Sequence, residues 1–403
     1  MLNIGPFPNP IPQPFQSPFG WTPLVNNAPI QPRELSLPRY VNYGADYSGC
    51  GFWRILWPEM VINSTGRGCS STLTAMVLDP RWYQGIRAIK VQRQASNDQK
   101  RFMEFLKHAQ QQHGFKLIYE VDDVVFREDI PDYNKFKFAF DNDEIRNNCI
   151  DIINMCDEVT VTCDFMRKLY QQKTGKQEIT VIPNFVPYFW MGHLFNRNKV
   201  YANYENNKRK PRVLYAGSGA HYDVDNKNNG VDDFSHVLET VIRTMDKYQW
   251  VFLGAYPPPL HHYIVNNKIE FHNWKSLLEY PGFFESLNVQ ATIAPLQNNN
   301  FNNAKSDIKF IESCILGLPC LVQNMETYKE APEFLKFTTG EELEEKLDAV
   351  LRNKPMYYKN VDIYREFASD RFLEHDHNIS AHIEALNTPY GSPERKFLRR
   401  WNP

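Results

Sequence analysis

The sequence predicts an α/β protein of two successive doubly wound, Rossmann-like units that face each other across a cleft. Two observations carry this. From Tyr40 to about residue 187, and again from Arg212 to about residue 322, short apolar runs of strand length alternate with longer segments of helical periodicity. Such alternation gives a parallel sheet covered on both faces. Between the two series, the polar and basic stretch 188–210 breaks the pattern and reads as a connection.

In chain order, residues 1–38 form a proline-rich arm, PFPNPIPQPFQSPFGWTP at its centre, that cannot make regular helix or an interior strand. Its interleaved Phe7, Phe15, Phe19 and Trp21 predict an extended arm lying on a surface. The first unit, 39–190, is expected to hold strands at Tyr40–Tyr43, Leu73–Leu78, Ala88–Val91, Leu117–Val121, Glu158–Thr162 and Ile179–Ile182. Helices are expected at Phe102–Gln112, Ile145–Met155 and Phe165–Gln172. A linker over 191–210 leads to the second unit, 211–375. Its strands are RVLYAG (212–217), Trp250–Gly254, Ile269–Phe271, Ala291–Pro295 and Leu321–Val322, with helices at about 233–247 and 276–287. A further helix begins near Phe301 and is stopped by Gly317 and Pro319. Residues 376–403 are read as a helix and a basic tail, ERKFLRRWNP, that return to the first unit.

Composition narrows the partners. At 403 residues with 42% hydrophobic and 14% aromatic content, the chain is long and apolar enough for two packed cores. A net charge of −2 supplies no global field toward nucleic acid or anionic lipid, so such binding would need a local basic patch. No apolar run reaches the roughly 20 residues that span a bilayer. The start lacks the basic-then-apolar layout of a signal peptide. Seven cysteines without C-x-x-C spacing predict reduced thiols in a cytoplasmic protein. Cys149, Cys156 and Cys163 recur at seven-residue intervals and are read as core packing.

Two stretches carry candidate chemistry. In FNNAKSDIKFIESCILGLPC (301–320), Lys305 and Lys309 stand four apart near a helix N-terminus, with Glu312 three further on. Free N–H groups and the helix dipole favour anions there, so two cations suit a diphosphate and the carboxylate suits ribose hydroxyls. An amphipathic helix with a solvated charge pattern is the alternative. In AGSGAHYDVD (216–225), Gly217 and Gly219 allow close backbone approach to a ligand after a strand, and His221 can donate to a phosphate or a sugar hydroxyl. A purely structural turn is the alternative there. Asp122 and Asp123 end a first-unit strand toward the same cleft, where they either orient an acceptor or cap a helix. Asp223-Val224-Asp225 and Asp141-Asn142-Asp143 imitate a D-x-D metal motif in loops that lack its context, and neither is read as a metal site. Arg54 and Arg93 are further candidates on the first unit.

The strings YAGSGAHYD, FLGAYPPP and IAPLQNNNFNNAKSDIKFIESCILGLPCL together resemble the donor domain of GT-B glycosyltransferases, in the retaining, family-4-type ("group 1") branch. GCGFWRILWPE, KVQRQ, YEVDD, DEVTVTCDFM and ITVIPNFVP resemble successive first-domain segments, so the likeness runs from about residue 40 to 330. It implies a GT-B fold and a retaining, metal-independent hexosyl- or pentosyltransferase. A UDP-sugar is the expected co-substrate, with no cofactor. It further implies that Glu312 binds the donor ribose and that Lys305 and Lys309 neutralise the departing diphosphate. Gly217, Ser218 and His221 would line the donor pocket, and Asn273, Trp274 and Lys275 would flank the base. Lys305, Lys309, Asp122 and Asp123 would be catalytic, with Arg54, Arg93, Asp122 and Asp123 on the acceptor side. One departure concerns the Glu that many relatives carry eight residues before the ribose-binding Glu, since Ala304 stands there.

The acceptor is read by analogy with enzymes of large bacteriophages. A hydroxymethylated base in double-stranded phage DNA comes first, which places the protein in a host's cytoplasm. A surface polysaccharide or protein is the alternative acceptor, and a non-catalytic nucleotide-sugar-binding module is the alternative class. Two basic-aromatic clusters bear on DNA: Arg197, Lys199, Tyr201, Tyr204, Lys208, Arg209 and Lys210 at the junction, and Arg395, Lys396, Arg399, Arg400 and Trp401 at the end.

Overall fold

The computed structural model describes residues 37–193, 197–225 and 227–398. The proline-rich arm up to residue 36 and Arg399, Arg400 and Trp401 of the basic tail lie outside the described residues.

Two six-stranded, all-parallel sheets form the frame. The first contains β1 (Arg39–Tyr43), β2 (Cys69–Thr72), β3 (Ile86–Gln92), β4 (Lys116–Glu120), β5 (Glu158–Val161) and β6 (Ile179–Val181), in spatial order β2-β1-β3-β4-β5-β6. The second contains β7 (Arg212–Gly217), β8 (Gln249–Gly254), β9 (Glu270–Asn273), β10 (Ala291–Ala294), β11 (Cys320–Gln323) and β12 (Lys336–Phe337), in order β12-β11-β10-β7-β8-β9. The central strands are buried along almost their whole length, as strands covered on both faces must be. In open α/β sheets ligands bind outside the carboxyl ends of the strands.

Three sequence expectations need correction. The apolar run Leu73–Leu78 is not a strand; β2 is the preceding Cys69–Thr72, and it pairs with β1 residue for residue. Since β1 ends at Tyr43, nothing remains for a longer neighbour to pair with, and Leu73, Met76 and Val77 pack on the core as irregular chain. Within the linker expected over 191–210, Arg197–Asn207 is a helix that the sequence reading did not assign. The helix begun near Phe301 is two helices, Asn300–Asn303 and Ile308–Ile315, with Ala304–Asp307 as a joint. Asparagine, serine and aspartate compete with the backbone for its hydrogen bonds, and the Asn299 side chain accepts from Asn302 N–H at 2.9 Å to cap the first piece. Lys305 therefore sits in the joint, off the helical face that carries Lys309.

The joint packs the two halves together. Phe301 and Ala304 are buried in the first half's core, and the Cys163 thiol donates to the Ala304 carbonyl at 3.4 Å. Asn184 donates to Ser306 at 2.9 Å, and Arg371 pairs with Asp307. A glutamate at 304 would have to bury its carboxylate among the apolar side chains of that core. Cys149 and Cys156 are buried in it as well. The helix Asp376–Asn387 lies on the first sheet, where Tyr40 donates to Asn387 at 3.0 Å and Lys116 to the Ala385 carbonyl at 2.6 Å. Arg395 is buried there in a two-point pair with Glu158, one contact at 2.7 Å, so it offers no charge to a nucleic acid. At the junction, Tyr201 and Tyr204 stack on Tyr358 and Tyr357 with ring centres 4.0 and 4.5 Å apart, and Lys199 pairs with Glu285 at 2.9 Å. Tyr204 is buried and Tyr201 half-buried by these contacts.

Candidate active site

The second half contributes one wall. β7 and β8 end at Gly217 and Gly254, and both must be glycine. A Cβ on Gly217 would come within 2.6 Å of the Tyr215 hydroxyl. Gly254 has φ +96°, and a Cβ there would meet the Gly217 carbonyl at 2.7 Å and the Trp274 ring at 2.9 Å. The chain then turns through Ser218, whose hydroxyl accepts from Ala220 N–H at 3.3 Å, to the buried His221.

Lys309 enters from the helix behind this turn. Its ammonium donates to the Ala216 carbonyl and lies 4.8 Å from the Tyr215 ring centre. Glu312, one turn further, accepts from the Tyr280 hydroxyl at 3.0 Å. Burial pushes Glu312 up and Lys309 down, and the attraction between them opposes both shifts. Tyr280 in turn stacks under Trp274, with centres 6.0 Å apart and planes at 27°. Trp274 remains 52% exposed beside the exposed Asn273, which leaves one ring face open to a planar ligand. Lys275 turns away, with its ammonium 4.6 Å over Phe283.

The first half supplies the other wall. Asp122 and Asp123 follow β4. Burial raises the Asp123 carboxyl, and Lys305, reaching across from the joint, holds it down. Arg93, at the end of β3, adopts φ 46°, a conformation that costs an L-residue about 1 kcal/mol or more and clusters at functional sites. Its guanidinium pairs with Asp46 and stands 3.8 Å from Asp122. Arg93 Nε and Asp122 Oδ1 are the two atoms that face each other at that distance, too far for a hydrogen bond, and both are buried. Arg54 is elsewhere. It is 0% exposed and donates to Glu120 at 2.7 Å, the Ile182 carbonyl at 2.7 Å and Asn184 at 3.0 Å. Asp223, of the D-x-D imitation, accepts from the N–H groups of Lys227, Asn228 and Gly230 at 2.8 to 2.9 Å and so closes its own loop. Asp141 is exposed and pairs with Arg127.

Thus contacts and charge interactions link Ala216, His221, Lys305 and Lys309 to Asp123 and Arg93 of the first half, and Glu312 through Tyr280 to Trp274, whereas Arg54 is held elsewhere. Sequence reasoning missed Asp233, which is 1% exposed and accepts from His221 Nδ1 at 2.7 Å, Gln297 N–H at 2.9 Å, Asn302 at 2.5 Å and Tyr133 of the first half at 2.6 Å. Only its position at the start of a predicted helix marked it. It also missed Tyr280, which nothing in the sequence links to Glu312.

An acid-sensitivity follows. Burial holds the His221 imidazole down to about 4, with Lys305 and Lys309 reinforcing the effect and Asp233 opposing it. The unfolded chain binds that proton near pH 6.5, so it holds more protons than the fold between about pH 6.5 and 4, and stability rises with pH across that window. His236 and His382 are lowered by burial too and add to the slope. His221→Phe should lose less stability than the wild type between pH 7 and 4.5 in urea titrations; equal losses would contradict a buried neutral His221.

Two facing Rossmann-like halves with parallel sheets define the GT-B glycosyltransferase fold. No protein-family model matches the chain, and no curated protein matches it in sequence. Among solved structures it is similar to Anabaena Alr3699/HepE in complex with UDP-glucose, with 10% identity and a TM-score of 0.57 over 87% of this chain and 100% of that one. The UDP complex of the same protein gives 10% identity and a TM-score of 0.59 with the same coverage. A point mutant of T4 phage BGT in complex with UDP-glucose gives 10% identity and a TM-score of 0.48 over 87% and 99%. At such identities the likeness is one of fold.

Proposed function

We propose that the chain is a glycosyltransferase that moves a sugar, with retention, from a UDP-sugar to an acceptor hydroxyl. The observation that carries the reading is the convergence of Lys305, Lys309 and Glu312 with the Gly217–His221 turn at the carboxyl ends of both sheets. Glu312 Oε2 is held by Tyr280, so the carboxylate is oriented to accept from the ribose hydroxyls. Trp274 offers a face to the base, beside Asn273. Lys309 and Lys305 neutralise the diphosphate together with the amide groups opening the helix Ile308–Ile315. This assigns to lysines the charge neutralisation that a metal performs elsewhere. HepE, which shares the fold, is described with UDP and with UDP-glucose, and this supports uridine as the nucleoside.

In the reaction the bond between the anomeric carbon and the diphosphate oxygen breaks, and a bond to the acceptor oxygen forms on the same face. The acceptor's proton passes to the departing diphosphate oxygen. Asp122, Asp123 and Arg93 orient the acceptor, with Arg93 held between Asp46 and Asp122.

A hydroxymethylated base of duplex DNA is the acceptor to test first. Its support is the sequence resemblance and one rim feature, the run Asn134-Lys135-Phe136-Lys137-Phe138. Phe136 and Phe138 are 52% and 51% exposed, and a Cβ on Gly219 would lie 3.3 Å from the Lys135 ammonium. Lys137 is paired with Asp132 at 2.7 Å, which leaves Lys135 and the two exposed rings as the groups that suit a strand and a displaced base. The experiment offers UDP-sugars with hydroxymethylated duplex DNA and with glycan or protein acceptors, and reads the product anomer by NMR. Transfer to glycans alone would reject the DNA acceptor, an inverted product would reject retention, and binding without transfer would reject catalysis.

Within this reading, Glu312→Ala should raise the donor KM by about 10–100-fold, the worth of hydrogen bonds to a charged group. Lys305→Ala should instead lower kcat by about a hundredfold with little change in KM. Steady-state kinetics with UDP-sugar hydrolysis as readout checks both, and wild-type constants in the two variants would rule out the assignment.

A further inference from the structure

We infer that Asp233 fixes His221 as a hydrogen-bond acceptor toward the cleft, so that the ligand group His221 meets is a hydroxyl of the transferred sugar and not a phosphate oxygen. This rests on the donor-site reading above and adds to it which atom of the donor His221 recognises.

Both oxygens of Asp233 are engaged. Oδ1 accepts from Tyr133, Gln297 N–H and Asn302, and Oδ2 is left for His221 Nδ1 at 2.7 Å. Burial pushes the carboxyl up, but the His221 ring, then Lys305 and the Tyr133 hydroxyl, hold it below its ordinary range, so it is a carboxylate and has no proton to give. The shared proton is therefore on Nδ1. A neutral imidazole protonated at Nδ1 presents a lone pair at Nε2. The surroundings of the ring favour that neutral form. Lys305 and Lys309 disfavour a further cation, Tyr215 packs edge-on with centres 6.4 Å apart, and only Asp233 pulls the other way. His221 Nε2 makes no hydrogen bond among the described residues, and it belongs to the same turn as Gly217, whose neighbour Ala216 holds Lys309.

A lone pair facing a phosphate oxygen is repulsive, whereas a sugar hydroxyl donates to it. The sequence-based expectation was that His221 donates to a phosphate or to a sugar hydroxyl; in this reading it accepts, and of those two groups only the hydroxyl can donate to it. The lysines bind the diphosphate and the imidazole reads the sugar beside it. Asp233 is a positioning residue, because it acts only through the tautomer it imposes. Tyr133 extends the chain of hydrogen bonds into the first half, so the tautomer is set by groups from both sides of the cleft.

The test has two arms. Nitrogen-15 NMR of the imidazoles at pH 7, assigned by comparison with His221→Phe, should show a protonated Nδ1 and a bare Nε2 for His221; in Asp233→Asn the pattern should change, since the amide can donate to Nδ1 and leave the proton on Nε2. A bare Nδ1 in the wild type would overturn the inference whatever the enzyme does. In the second arm, a series of UDP-sugars each carrying fluorine for one hydroxyl is compared with the parent by calorimetry, with UDP alone as control. One position should lose affinity about tenfold or more in the wild type, and that penalty should vanish in His221→Phe. Intact UDP binding with no position sensitive to fluorine, or with the penalty retained in His221→Phe, would overturn the assignment to a sugar hydroxyl. Failure of UDP itself to bind would reject the donor-site reading and the hydroxyl with it, and the NMR arm alone would then decide the role of Asp233.

Discussion

Lys309→Met should lower kcat/KM by about a thousandfold, the upper range for removing one fixed charge that meets a developing anion. Methionine keeps the apolar stem over Tyr215 and deletes only the ammonium, so the fold should survive. The loss exceeds that expected at Lys305 for a local reason. Lys309 lies on the first turn of a helix, its ammonium is aimed by the Ala216 carbonyl, and it is the cation that stabilises ionised Glu312. Without it, burial drives Glu312 further toward its neutral form, and the carboxyl no longer accepts from both ribose hydroxyls. The variant should therefore lose UDP affinity as well as turnover, and Lys309→Met combined with Glu312→Gln should cost less than the sum of the two. The pH profile gives an independent check. Burial holds the Lys309 ammonium down to about 8 in the free chain, so UDP affinity should fall as pH rises past that value, and the fall should be absent in Lys309→Met. Calorimetry across pH 6.5 to 9.5 reads both. A thousandfold loss with unchanged UDP binding would place Lys309 on the reacting atoms only, and unchanged kinetics would remove it from the site.

The sheets were legible because strands buried on both faces read as unbroken apolar runs, and ten of the twelve overlap such runs. The two exceptions have physical causes. β2 is Cys69–Thr72, a polar edge strand chosen by pairing with β1, and β12 is two residues long. The glycine turn and the lysine pair of the candidate site could be picked out because glycines after a strand and lysines before an apolar stripe are local signals. The break at Ala304–Asp307 was not legible, because helical spacing continues through it, and the local competition from Asn, Ser and Asp side chains ends the helix there together with the burial of Phe301 and Ala304 in the other half. Asp233 and Tyr280 acquire their roles from partners far off in sequence. Charged residues mislead for a similar reason: Arg54, Arg395 and Lys199 are the right type for an anion, but each meets a carboxylate of the fold, which no local pattern records.

Arg54→Met should destabilise the protein by about 3–5 kcal/mol in urea unfolding, the cost of stranding one member of a buried ion pair. Sequence reasoning put Arg54 beside the acceptor, and there its loss would raise the acceptor KM and leave stability nearly untouched. The structure gives the opposite expectation. Arg54 meets no solvent, and its loss leaves Glu120 with the Thr160 hydroxyl and Lys90 at 4.0 Å. Arg54→Met with Glu120→Leu should recover most of the loss, since an apolar pair of similar volume replaces two buried charges at little net cost. Lys90 decides whether that recovery is complete. Burial already lowers its ammonium to about 8 against the attraction of Glu120, and without Glu120 it falls further, so the double variant should become more stable as pH rises and Lys90 sheds its proton. A stable Arg54→Met with a raised acceptor KM would return Arg54 to the cleft, whereas a double variant as unstable as the single would mean that the guanidinium's bonds to the Ile182 carbonyl and Asn184, and not its charge, hold the end of β6 in place.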